Sequence, residues 1–278
     1  MEKFQLSILF KIIGLGSASG LFYQDDLLYV ISDNSTYLYE YNIPNEKLNK
    51  IPLVENAQEN IPKNEKPDFE SIMFNGSHIS IIGSGSAENR NAIALYHLEL
   101  KKPIIKSMSS VYTQIKIQNH INDDDLNIEG MVTTGRFVYF FQRGNGVSGK
   151  NGIFYSETNE EKKIPDYGFI PFDLPKIKNV PATFTDAILV DDKIYFLASA
   201  EDTTSTYLDG EVLGSLIGTI DLNTMTLEKT LQISDKHKFE GLTLYKNSAA
   251  QIEFLLCEDT DSEISESNIY KLVIDKTQ

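Results

Sequence analysis

Five side chains along this chain place an oxygen donor at a recurring position, and oxygen is the ligand type that hard divalent cations take. They are Ser19, Glu70, Glu129, Asp186 and Glu240. Each is third in a five-residue motif whose fourth residue is small and whose fifth is aliphatic: Ser17-Ala18-Ser19-Gly20-Leu21, Asp68-Phe69-Glu70-Ser71-Ile72, Asn127-Ile128-Glu129-Gly130-Met131, Phe184-Thr185-Asp186-Ala187-Ile188 and Lys238-Phe239-Glu240-Gly241-Leu242. Four carboxylates brought to one place repel each other and lose hydration, so some take up protons or a cation sits among them. Hard oxygens in that number suit Ca2+ first and Mg2+ second. The alternative is that these side chains bond to backbone N–H groups of a neighbouring repeat and hold no ion.

Basic groups that could meet an anion are few. The only arginines are Arg90, Arg136 and Arg143. Arg90 and Arg143 fall in polar loops, near Lys150, and either hold an anionic group such as a phosphate or offset nearby carboxylates; Arg143 is the first choice for a ligand contact. Glu201 and Asp202 directly follow a β-rich run, which gives them the rigidity that a ligand-facing lip or a general base needs. Gly144-Asn145-Gly146-Val147-Ser148-Gly149-Lys150 imitates two nucleotide-binding motifs, but Asn151 replaces the required hydroxyl and a strand follows where a helix is required, so it reads as a glycine hairpin. His78, His97, His120 and His237 have no metal-ligand spacing, and no nucleophile elbow is present.

The elements that must position these residues repeat with the motif, about 50 to 60 residues apart. Each motif opens a first strand; a turn and a second β-rich run follow, as in Leu27-Leu28-Tyr29-Val30-Ile31 and Phe137-Val138-Tyr139-Phe140-Phe141. After a polar loop comes a third strand, and an alternating fourth is read at Val111-Tyr112-Thr113-Gln114-Ile115-Lys116-Ile117. Four strands per repeat make a propeller blade. The expectation is one all-β domain over residues 1–278, a five-bladed β-propeller with four-stranded blades, in which the strands after Glu240 and the first eighteen residues share one blade. A six-bladed disc with one degenerate copy, or an irregular β-sandwich, is the alternative. In a propeller the first strands line the central channel, so the five motif residues form a ring around it. The loops after the second strands then flank that ring.

The 278 residues carry 25 Lys+Arg against 40 Asp+Glu, a formal net charge of −15, with 41% apolar and 23% charged residues. This is a folding chain whose field repels phosphate backbones and anionic lipid surfaces, so neither nucleic acid nor membrane is expected as a partner. One cysteine, Cys257, excludes internal disulfides and multi-cysteine metal motifs. Glu2 and Lys11 interrupt the apolar start, so neither a signal peptide nor a membrane span is read there, and a cytoplasmic monomer is expected. Free Ca2+ is scarce in a cytoplasm, which requires tight binding or Mg2+ instead.

Taken together, the five motifs resemble the calcium-activated nucleotidase (apyrase) family. That family has a five-bladed propeller whose central Ca2+ is held by Ser, Glu, Glu, Ser and Glu side chains, one per blade. Ser19, Glu70, Glu129 and Glu240 match in order, and Asp186 stands where that family has a hydroxyl. LYVISDNSTYLYEYN, FVYFFQR and KFEGLTL also run parallel to its blades. Over most of its length the chain resembles an uncharacterised bacterial β-propeller family (DUF6929-like), on ESIMFNGSHISIIGSGS, LNIEGMV…FFQRGN and FTDAILVDDKIYFLASAEDTTSTYLDGEVLGSLIGTI. More distantly it resembles phytase-like and esterase-like propellers. Two functions are therefore open. One is a binding propeller with a divalent ion in its channel and a rim that takes a small or anionic ligand. The other is a metal-dependent phosphoester or phosphoanhydride hydrolase in which Arg143 and Arg90 contact the phosphate.

Overall fold

A computed structural model describes residues 3–158, 165–208, 210–259 and 265–276. Twenty of the strands fall into five antiparallel four-stranded sheets set in a ring, a five-bladed β-propeller. Blade 1 runs Ala18–Gln24, Leu27–Ser32, Tyr37–Asn42 and Lys47–Pro52 from the inside outward, and blade 2 runs Phe69–Phe74, His78–Gly83, Ala92–His97 and Lys102–Ser107. Blade 3 is Ile128–Thr133, Phe137–Gln142, Gly152–Glu157 and Gly168–Pro171; blade 4 is Thr183–Val190, Lys193–Asp202, Glu211–Asp221 and Thr226–Ser234. Blade 5 joins the two ends of the described chain. Its three inner strands, Phe239–Asn247, Gln251–Glu258 and Glu266–Asp275, are completed by Phe4–Ile13, which pairs antiparallel with Glu266–Asp275.

The apolar residues do not form one core but five, one between each pair of neighbouring blades. Tyr29, Ile31 and Leu38 of blade 1, for instance, meet Phe69, Ile79 and Ile81 of blade 2. Phe141 of blade 3 packs edge-on against Phe184 of blade 4. Each sheet is therefore buried on both faces, which is why its central strands read as nearly continuous apolar runs. Around the axis the inner strands touch in sequence, each against the next. The small fourth residue of the motif permits that approach. A Cβ on Gly241 would lie 2.5 Å from Cys257 Sγ and 3.0 Å from the Cα of Gly20 in blade 1.

Two details correct the expectations from sequence. Residues 111–117 are not a strand but part of the helix Ser109–Asn119, because Lys102–Ser107 already fills the outer edge of blade 2. The helix buries Tyr112 and Ile115, three residues apart, in the seam between blades 2 and 3, and Tyr112 Oη donates to the Gly83 carbonyl at 2.5 Å. The second correction concerns register. Every inner strand carries a one-residue β-bulge, at Ser19, Glu70, Glu129 and Glu240, and in blade 4 at Thr185 rather than Asp186. Phe184 pairs with Ala198 and Asp186 with Leu197, so Asp186 occupies the place of Gly20, Ser71, Gly130 and Gly241. A bulge re-aims its extra residue, and here it sets the ring position. No helix among the described residues is long and apolar enough to cross a membrane.

Candidate functional site

The bulge residues begin the inner strands at one face of the disc, and there the channel opens into a polar cavity of about 530 Å³. Glu70, Glu129 and Glu240 line it. Two tiers of side chains above them complete the wall. The first is the residue two places before the bulge in four of the blades, Ser17, Asp68, Asn127 and Lys238, each just ahead of its inner strand. The second lies at the ends of the second strands, Asp33, Arg143, Glu201 and Asp259. Arg90 and the linker residues Lys63 and Lys66 close one side, and Ser205, Thr206 and Leu208 reach over from blade 4. Ser17 and Asp68 hold left-handed backbone, with φ +45° and +53°, which costs an L-residue about 1–3 kcal/mol and is characteristic of sites.

Not every ring residue faces the cavity. Ser19 Oγ donates to the Phe69 carbonyl of blade 2 at 2.5 Å, and Thr185 Oγ1 makes the matching bond to the Phe239 carbonyl of blade 5 at 2.7 Å. The two hydroxyls thus play one part in two blades and confirm Thr185 as the counterpart of Ser19. The order of bulge residues becomes Ser, Glu, Glu, Thr, Glu. Asp186 is buried away from the cavity, its oxygens accepting from the backbone N–H of Leu242 in blade 5 and of Ala187, each at 2.7 Å. Burial pushes its carboxyl well above the ordinary range even so.

The charges on the wall sort into two networks. In the first, Lys66 Nζ lies against Asp33 and 2.9 Å from Asp68 Oδ1. Asp68 Oδ2 accepts from Arg90 Nη1 at 2.8 Å and from the Ser84 hydroxyl. Burial works to raise the Asp68 carboxyl, but Lys66 and Arg90 outweigh it and hold it low. In the second, Arg143 touches Glu201, Glu129 at 3.3 Å and Glu240 at 3.8 Å, while Lys238 lies 2.9 Å from Glu240. Burial carries the Glu129 carboxyl up to about 7 against the pull of Arg143. Both arginines are thus held by carboxylates through their terminal nitrogens, with Arg90 Nη2 also donating to the Lys63 carbonyl at 2.8 Å, while the Nε of each is buried without a partner among the described residues.

Glu70 makes no direct contact with either network, although its charge helps to hold the Lys66 ammonium protonated. It is 8% exposed, faces the cavity, and has no hydrogen bond or ion pair with a described residue. Burial first, then the charges of Asp68, Glu129, Glu240 and Asp33, push its carboxyl far up. Asp33 Oδ1 is likewise buried without a partner. Among the described residues, the carboxylates whose oxygens gather within 4.8 Å of one another are Asp33, Asp68 and Glu70, not the three ring glutamates. Asp202 is exposed and does not line the cavity, and Glu201 is part of the second strand itself rather than of the loop beyond it. Sequence reading passed over Asp68 and Lys238, although both stand two residues before a ring glutamate, at the start of the same repeated motif. Asp33 and Lys66 gave no such signal, because they come from different loops.

A ring of five four-stranded blades with a charged cavity at one mouth defines a five-bladed β-propeller, and comparison narrows this to a family. The chain belongs to DUF6929, a family of unknown function whose model matches residues 14–274. No curated protein matches it. Among solved structures it is similar to the major allergen Mala s 1 of Malassezia sympodialis, with a TM-score of 0.58 and 8% identity over 94% of this chain and 95% of that one. It is also similar to the glutaminyl cyclase of Myxococcus xanthus, with a TM-score of 0.52 and 8% identity over 97% of each chain. At such identity the likeness is one of fold.

Proposed function

We propose that this propeller is a binding protein whose channel mouth takes a hard divalent cation, Ca2+ by preference and Mg2+ second, beneath a small polar ligand in the cavity. The observation that carries this is Glu70, a carboxylate nine-tenths buried, without a partner, and surrounded by four other acids. A group in that position is costly unless it is protonated or neutralised, and a cation neutralises it with the oxygens already pointing inward. The rim supports a ligand-binding role through Asn34, Asn60, Asn145, Ser205 and Thr206, amide and hydroxyl side chains at the cavity's edge.

A phosphate hydrolase has less support, because the arginines it would use are held by Asp68, Glu129, Glu201 and Glu240. Residence in the cytoplasm, with its low free Ca2+, would favour Mg2+ or a tightly held Ca2+ at the same oxygens. Elemental analysis of the purified protein and calorimetric titration with Ca2+ and Mg2+ test the reading. One equivalent bound by the wild type and lost in Glu70→Gln is the expected result; no binding of either ion sinks it.

A further inference from the structure

We infer that the cation seat lies off the channel axis, between blades 1 and 2, formed by Asp33, Asp68 and Glu70, and that the Lys66 ammonium is its built-in occupant, which an entering divalent ion displaces into the cavity. This rests on the cation-binding reading above. It differs from an axial ring in its ligands and in giving the protein an internal competitor.

The three carboxylates are the ones that converge, within 4.8 Å, whereas Glu129 and Glu240 are turned toward Arg143 and Lys238. Glu70 and Asp33 Oδ1 have no partners, and Lys66 covers the remaining oxygens, lying against Asp33 Oδ2 and 2.9 Å from Asp68 Oδ1. Once the ammonium leaves, five carboxylate oxygens are open: two on Glu70, two on Asp33 and one on Asp68. Water or a ligand oxygen would complete the six to eight that Ca2+ takes. Asp68 Oδ2 stays with Arg90 and Ser84, which fix the angle of its carboxylate.

Charge favours exchange over simple addition. With all three carboxyls ionised, as a bound cation requires, Asp33, Asp68 and Glu70 against Lys66 and Arg90 sum to one net negative charge. A divalent ion in place of the ammonium brings the seat to neutrality, whereas an ion beside it would leave a buried positive charge. The movement asked of Lys66 is confined to its side chain. Its backbone N–H donates to the Pro62 carbonyl at 2.9 Å and its carbonyl accepts from Asn89 Nδ2 at 2.9 Å, so the linker is anchored without the ammonium. The side chain is only 12% exposed yet borders the cavity, which gives it somewhere to go.

Two measurements on the full chain test this. In the first, lysines of the wild type are acetylated with and without saturating Ca2+ and the rates at Lys66 and Lys238 are read by mass spectrometry. Exchange predicts that Ca2+ speeds labelling of Lys66 by about tenfold or more, as its shielding by the two carboxylates is lost, while Lys238 stays protected. In the second, Ca2+ is titrated calorimetrically into Lys66→Met, Asp33→Asn and Glu240→Gln. Binding should tighten by about tenfold or more in K66M and weaken as much in D33N, with a clearly smaller loss in E240Q, whose charge acts on the seat only from a distance. Ca2+ binding that leaves Lys66 shielded, or that is lost in E240Q and kept in D33N, overturns the off-axis exchange and leaves the cation reading standing. No binding to any variant, K66M included, overturns both. Binding to K66M alone, with wild type silent, overturns displacement by the ion and with it the cation reading of the wild-type protein.

Discussion

Replacing Glu70 by Gln removes one charge at constant shape, and the structure fixes the sign of the effect in each condition. Asp33 and Asp68 oxygens lie within 4.8 Å of Glu70. At an effective dielectric constant of about 20, each such like-charge contact costs roughly 3.5 kcal/mol. Lys66 and Arg90, placed beside the same acids, offset about half, leaving on the order of 3 kcal/mol of net repulsion on an ionised, ion-free Glu70. The wild type escapes part of it by keeping a proton on Glu70, whose carboxyl is pushed far above its ordinary value by burial and by its acidic neighbours. A carboxyl that titrates higher in the folded than in the unfolded state contributes stability that is whole below the unfolded value and is lost as pH rises toward the folded one. Without divalent ions, Glu70→Gln and wild type should therefore melt together near pH 4 and part as pH rises, by up to about 1.4 kcal/mol per pH unit. A gap of about 2 kcal/mol corresponds to roughly 4 °C in Tm, with the variant the more stable. Saturating Ca2+ should invert the order, since an ion at about a hundred times its Kd stabilises by roughly 2.7 kcal/mol and the variant has lost that ligand. Thermal melts of both proteins across that pH range, with chelator and with Ca2+, give the answer. An E70Q variant less stable than wild type at every pH in chelator would mean that Glu70 has a partner, and the reasoning fails.

Removing the inter-blade hydroxyls, Ser19→Ala and Thr185→Val, should each cost about 1–3 kcal/mol in urea unfolding, because a buried backbone carbonyl of the next blade is left unpaired; equal costs at the two sites would mark them as one structural device. Gly241→Ala should destabilise by about 1–3 kcal/mol, since the added methyl meets Cys257 Sγ at 2.5 Å and the backbone of Gly20 at 3.0 Å; an unchanged urea midpoint would contradict the close approach of blades 5 and 1. Arg143→Met should destabilise by about 3–5 kcal/mol, because Glu129 loses its cation and Glu201 its nearest one, while Glu240 keeps Lys238. That loss should shrink at lower pH, where the carboxyls take up protons, and pH-dependent melts read it directly.

The propeller itself was legible because its period is written in residues that have no choice. Inner strands approach most closely over a small side chain, so Gly20, Ser71, Gly130 and Gly241 recur, with Asp186 in that place in blade 4 alone, and the blade faces need aliphatic runs on either side of them. The same logic failed at two places for identifiable reasons. Val111, Thr113, Ile115 and Ile117 alternate like a strand, but a blade with four strands has no partner left to offer, and the segment folds as the helix that buries Tyr112 and Ile115 instead. In blade 4 the acid at Asp186 imitates its neighbours and draws the motif one residue out of register. A bulge adds one residue to one strand of a pair, and only pairing shows that Thr185 is the added one.

The site divides along the same line. Glu70, Glu129 and Glu240 are legible because a repeated position on a closed ring must face one channel. What decides their chemistry is not on the repeat. Arg143 sits after a second strand and draws Glu129 and Glu240 toward itself, whereas Lys66 and Asp33 arrive from a linker and a loop of no fixed period and gather around Glu70. An equivalent position therefore carries three glutamates in three electrical settings: one held by Arg143, one paired to Lys238, and one left open. Symmetry places the carboxylates, and the aperiodic cations between them select the single one that remains available to a ligand.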